Sequence, residues 1–271
     1  MGKRRIIQVL WTFITNPMLS GFVTGQIYRG KSKSVCVPGL NCYSCPAAFG
    51  ACPIGALSSV LGKSGVYFSF YVIGFLLAVG ALLGRFVCGF LCPFGMIQEL
   101  LNKIPFIKKI TTFAGDRLLR KVKYLILLVF VIILPMFLTD ILGQGAPYFC
   151  KFICPAGTLE AGIPLLAVTP LLRNSIGVIY YYKISILIVT IILSIIIYRP
   201  FCRYICPLGA IYSVFNPIAL LKYRWNETTC TNCGSCKENC PMAIDPVKEI
   251  NHAECIRCGT CKKVCEKKAI Y

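Results

Sequence analysis

Eighteen cysteines in 271 residues dominate the chemistry this chain can offer. Eight of them close the sequence in two runs, Cys230-x2-Cys233-x2-Cys236-x3-Cys240-Pro241 and Cys255-x2-Cys258-x2-Cys261-x3-Cys265. Three closely spaced thiolates grip three irons of one cubane, and the fourth cysteine of each run ligates the other cluster. The spacing therefore assigns Cys230, Cys233, Cys236 and Cys265 to one 4Fe–4S cluster, and Cys240, Cys255, Cys258 and Cys261 to a second. Glu266 stands where the second run would carry its proline. Structural zinc uses paired rather than tripled cysteines, so these runs point to iron and sulfide.

The other ten cysteines follow a repeat. Cys88-Gly-Phe-Leu-Cys92-Pro-Phe-Gly, Cys150-Lys-Phe-Ile-Cys154-Pro-Ala-Gly and Cys202-Arg-Tyr-Ile-Cys206-Pro-Leu-Gly share one pattern. Cys52-Pro-Ile-Gly repeats its second half with Ala48 in place of the earlier cysteine, and Cys36, Cys42 and Cys45 precede it. Proline suits the first position of a helix with cysteine as its cap. A thiolate there feels the positive end of the helix dipole. Four repeats of the motif argue against simple packing of buried thiols. Copper or zinc held by these thiolates is an open alternative.

The elements that must position these residues are apolar. The chain is 56% hydrophobic and 14% charged, with a mean hydropathy of +0.71, the profile of a membrane protein. Runs at 6–28, 64–84, 124–139 and 176–198 approach the ~20 residues a spanning helix needs, the third with Lys123 snorkelling. Asn16-Pro17 is expected to kink the first, and 161–172, with Pro164 and Pro170, reads as re-entrant. The expected fold is mainly α: a four-helix transmembrane domain with re-entrant and cap helices over 1–221, then a small α+β ferredoxin-like domain over 222–271. Four spans put both termini on one side. Thirteen Lys and Arg, among them Arg85, Lys123, Arg199 and Arg203, fall on that side against seven opposite, including Lys33 and Lys63. The positive-inside rule makes it cytoplasmic, in a multi-pass protein of the cell membrane. Lipid anchoring rather than nucleic-acid binding accounts for the net charge of +19.

In that topology Cys88, Cys92, Cys202 and Cys206 meet on the cytoplasmic side and complete one membrane cluster. Cys36, Cys42, Cys45, Cys52, Cys150 and Cys154 fall on the outer side, enough for another cluster with two to spare, and the sequence does not choose among the six. Two clusters in the tail and two in the membrane domain are the expected cofactors. The single histidine, His252, excludes a bis-His haem, and no C-x-x-C-H occurs. So many free thiols imply a reducing or anaerobic cell.

The two CxxxCP units at Cys88/Cys92 and Cys202/Cys206, together with the ferredoxin tail, resemble the NapH/NosR/CcoG group of polytopic iron–sulfur proteins. The resemblance implies a membrane electron carrier. Some members of the group oxidise quinol, some join an extracytoplasmic flavin domain, and one branch reduces copper. The third pair, Cys150/Cys154, departs from the simplest two-pair pattern and adds redox capacity on the outer face. Expected partners are the membrane, a ferredoxin-like donor or flavoprotein, an extracytoplasmic flavin subunit and quinone. The reading is an electron-transfer component of an oxidoreductase complex, joining tail clusters to an extracytoplasmic acceptor or donor. A quinol/quinone oxidoreductase subunit and a copper-handling redox protein are the alternatives. Tyr180, Tyr181 and Tyr182 could line a quinone pocket but read as interfacial anchors. No P-loop, GxGxxG or nucleophilic triad occurs. Asp140 and Glu160 read as segment ends rather than proton carriers.

Overall fold

The computed structural model describes residues 2–62, 70–105, 108–138, 145–174 and 176–271. Residues 64–69 of the second apolar run, Thr139 at the end of the third, and also Lys63 and Asp140, lie outside the described residues.

The chain is mainly helical. The first apolar run does not form one kinked helix. It ends at Thr15, giving Lys3–Thr15, because a residue before proline disfavours the helical region; a separate turn, Gly21–Thr24, follows. Phe70–Leu83 ends at Gly84, which takes the left-handed conformation at φ 52°. Residues 116–137 are continuously helical, with a π-helical stretch Leu127–Ile133 just before Pro135. Two further π-helical stretches, Phe149–Ile153 and Thr158–Gly162, precede Pro155 and Pro164. Proline removes one helical hydrogen bond and crowds the preceding turn, and the wider ladder accommodates it.

Among the described residues one helix, Val178–Ile196, is long and apolar enough to cross a membrane, with a mean hydropathy of 2.1. At 1.5 Å per residue it reaches about 28 Å. Most of its surface is unburied. Leu125, Leu128 and Phe137 on the 116–137 helix and Ile188, Val189 and Ile192 on Val178–Ile196 likewise stay exposed. Large apolar side chains left outside on several helices suit a lipid or protein surround.

Lys123, expected to snorkel, is fully buried and ion-paired with Glu254. Arg85, Arg199 and Arg203, counted among the cytoplasmic flanking charges, are fully buried as well. They answer to internal partners, so they carry no orientation signal.

The tail packs into the same core as the rest. Met242, Ile244 and Ile256 join Val87, Phe94, Phe201 and Tyr212 in one hydrophobic cluster. Its two runs repeat in backbone as well as in sequence. Asn232, Gly234 and Ala243 in the first run, and Arg257, Gly259 and Lys268 in the second, all have positive φ at matching positions. Glu266 therefore follows the same turn that Pro241 does. The tail's β content among the described residues is one antiparallel bridge, Trp225 to Ile270; two parallel bridges, Cys36 to Ala51 and Ile110 to Ile197, lie elsewhere, and no longer strand occurs among the described residues.

Candidate iron–sulfur centres

Each C-P-x-G motif starts a helix. Cys52, Cys92, Cys154 and Cys206 are the caps of Pro53–Leu61, Pro93–Leu101, Pro155–Gly157 and Pro207–Phe215, with proline at the first turn. The glycine amide then reaches back to the sulfur: Gly95 N–H and Gly209 N–H donate to Cys92 and Cys206 Sγ at 3.4 Å each. The motif thus supplies both a ligand and a donor to it. Such donors favour the more negative state of a bound centre.

The earlier cysteine of each pair lies on the preceding turn, Cys88 in Phe86–Phe90 and Cys202 in Pro200–Tyr204. Cys206 interacts electrostatically with Cys202, Cys88 and Cys92. Gln98 Nε2 donates to Cys202 Sγ at 3.2 Å. Two guanidinium groups flank this set. Arg85 donates to the Cys202 carbonyl at 3.2 Å, Arg199 to the Cys88 carbonyl, and Arg199 also pairs with Glu99 at 2.8 Å. The Nε atoms of both arginines are buried without a partner. Burial, then Cys202 and Cys88, push the Cys92 thiol up to about 12. A metal centre that takes these sulfurs as thiolates removes that opposition.

The outer cysteines divide. Cys154 interacts with Cys150, Cys42 and Cys52, and Cys42 and Cys52 both act on Cys150. These four come from three separate segments, and Cys42 also neighbours Cys45. Cys36 adjoins Cys52 alone, in a bridge to Ala51. Cys45 is held by Lys33, whose ammonium donates to its carbonyl at 3.3 Å. Glu160 does not end a segment. It is turned inward, accepts the Cys42 amide at 2.8 Å, and burial pushes it up to about 7.

In the tail, Cys240, Cys255, Cys258 and Cys261 line a small pocket whose other walls include Met242, Ile244 and Ile256. Cys230, Cys233, Cys236 and Cys265 line another, wider one with polar neighbours such as Asn232 and Lys267. The first shares its apolar walls with the core, whereas Cys233 of the second is exposed. Among the described residues no group of three or more His, Cys, Asp and Glu is close enough to hold a single metal ion. A cubane spreads its ligands over separate irons and asks for wider sets such as these.

Comparison with known proteins agrees with the chemistry of these sets. The 4Fe-4S binding domain family matches residues 65–113 and 183–225, the segments that carry Cys88/Cys92 and Cys202/Cys206. An uncharacterized protein of Methanocaldococcus jannaschii is 32% identical over 82% of this chain and 86% of its own length. The putative electron transport protein YccM of Escherichia coli is 28% identical over 64% of this chain and 46% of its own. The regulatory protein NosR of Stutzerimonas stutzeri is 28% identical over 64% of this chain and 22% of its own. The chain belongs to the NosR/NapH family of ferredoxin-type electron-transport membrane proteins. It spans less than half the length of YccM and NosR. No solved structure matches it.

Proposed function

We propose that the protein is a membrane iron–sulfur electron-transfer subunit. It carries electrons between a redox protein docking at the cytoplasmic tail and an extracytoplasmic acceptor or donor. Cys230, Cys233, Cys236 and Cys265 hold one 4Fe–4S cluster and Cys240, Cys255, Cys258 and Cys261 a second. Cys88, Cys92, Cys202 and Cys206 hold a third, and Cys42, Cys52, Cys150 and Cys154 a fourth. What supports this reading most directly is a buried ion-pair link between the tail and the segments that carry the CxxxCP cysteines. Between the tail and the Cys88 set, Arg85 binds Glu254 at 2.5 Å and the Cys202 carbonyl at 3.2 Å. A bound cluster supplies one-electron redox chemistry. The chain's own residues supply thiolates, amide donors, counter-charge from Arg85 and Arg199, and an apolar surround that excludes water.

The 1–221 unit spans the membrane four times and 222–271 is the cytoplasmic electron entry or exit. The exposed apolar side chains of Val178–Ile196 and residues 116–137, and the membrane character of the family, support this topology. Iron and sulfide analysis of anaerobically purified protein tests the cofactor reading: about 16 irons per chain is expected, four for each cluster. Reductant and acceptor on opposite sides of proteoliposomes should then exchange electrons. Copper or zinc in place of iron refutes the first part, and no exchange by fully loaded protein refutes the second.

A further inference from the structure

The segment between Cys36 and Cys42 touches both membrane cysteine sets. Leu40 and Asn41 are buried, 3% and 1% exposed. The Leu40 amide faces the Cys92 sulfur, and the next amide, that of Asn41, faces the Cys52 sulfur. The segment is fixed from several sides. Val37 N–H donates to the Ala51 carbonyl at 3.0 Å, beside Cys52. A Cβ on Gly39 would stand 2.6 Å from the Leu91 carbonyl oxygen and 3.1 Å from Cys92 Cα, so only glycine allows the approach. Tyr212, fully buried, donates its hydroxyl to the Pro38 carbonyl at 3.0 Å. Cys88, Cys52, Cys92 and Cys36 are its electrostatic neighbours.

We infer that the backbone of Leu40 and Asn41 is the electron junction between the Cys88/Cys92/Cys202/Cys206 set and the Cys42/Cys52/Cys150/Cys154 set, with Tyr212 as the residue that positions it. The inference rests on the four-cluster reading. Between the two amide nitrogens lie three covalent bonds, N–Cα, Cα–C and C–N, totalling ~4.3 Å. With ~3.5 Å for each amide–sulfur contact, the Cys92 and Cys52 sulfurs lie within about 11 Å of one another along this path. That is a fraction of the ~30 Å hydrocarbon core, so two membrane centres need not rest on opposite surfaces. One electron leaves the reduced set, which is oxidised by one, and reduces the other by one. No bond forms or breaks and no proton moves. The docking redox protein is the reductant. Because each set receives one amide of the same segment, moving the segment alters both at once: each loses a donor that stabilises its reduced state.

EPR-monitored redox titration of the full-length protein, loaded with iron, tests this in Tyr212→Phe and Gly39→Ala. Tyr212→Phe keeps the ring and removes the hydroxyl that holds Pro38; Gly39→Ala pushes the segment off Leu91–Cys92. Iron content should stay at the wild-type value in Tyr212→Phe. Two of the four signals should move to lower potential together. In Gly39→Ala the reduced-to-oxidised ratio at fixed potential should fall about tenfold, which is 59 mV for one electron, and in Tyr212→Phe it should fall in the same direction by less. The other two signals should not move. Unchanged potentials for all four signals in iron-replete Tyr212→Phe overturn the junction, as does a shift confined to one signal. Wild-type protein with about 8 irons per chain overturns the four-cluster reading instead, and the two failures are distinguished by that count.

Discussion

Replacing Glu254 with glutamine should loosen the tail from the rest of the protein. Glu254 is 4% exposed and pairs with Arg85 at 2.5 Å and with Lys123, both fully buried. The three side chains come from the tail, from the turn before Phe86–Phe90 and from the 116–137 helix. Burial alone would raise the Glu254 carboxyl; Arg85 and Lys123 outweigh it and hold it at about 2. Moving a carboxyl from 4.5 to about 2 corresponds to about 3 kcal/mol at 1.36 kcal/mol per tenfold. Removing one member of a buried ion pair costs about 3–5 kcal/mol by an independent route. Since the two agree, Glu254→Gln should raise local opening of the tail about 150-fold at neutral pH, read as hydrogen exchange at the amides of residues 252–258. The folded value lies below the unfolded one, so the wild-type contribution is complete above pH ~4.5 and is lost as pH falls toward 2. Exchange in Glu254→Gln within threefold of wild type at pH 7 would refute the argument, because two buried cations would then have lost their carboxylate without consequence.

Arg199→Gln removes a buried cation beside the Cys88 set and should lower the potential of one EPR signal by about 60 mV or more, a tenfold change in its reduced-to-oxidised ratio; an upward shift would contradict the electrostatic role. Cys154→Ser should cost about four irons per chain, whereas Cys36→Ser should leave iron content at the wild-type value, since Cys36 adjoins only Cys52; equal losses would show that the outer set is drawn differently. Asp116 accepts from Arg203 at 2.7 Å, Arg120 at 2.8 Å and the Tyr204 hydroxyl at 2.6 Å. Asp116→Asn should therefore destabilise the protein by about 3 kcal/mol, seen as a lower thermal unfolding midpoint, because Arg203 stays buried with its charge unanswered.

Helix starts were legible because they are local. Cys-Pro-x-Gly specifies a cap, a first turn and an amide aimed at the cap within four residues, and Cys92 and Cys206 show that geometry. Charge was the least legible property. Arg85, Lys123, Arg199 and Arg203 flank apolar runs in sequence, where they look like topological signals. Only their partners Glu99, Asp116 and Glu254, lying 87 to 169 residues away in the chain, turn them into internal ion pairs. Glu160 was misread for the same reason, since its partner, the Cys42 amide, is 118 residues distant.

The sequence by itself determined the tail's ligand spacing, the helix caps and the kinship with iron–sulfur proteins, because each depends on residues a few positions apart. The tertiary structure alone decided that Glu160 turns inward to the Cys42 amide and that Gly39 packs against Leu91 and Cys92. Those facts follow from how distant segments pack, and close packing of Gly39 against Leu91 or of Tyr212 beneath Pro38 leaves no mark in the spacing of residues along the chain.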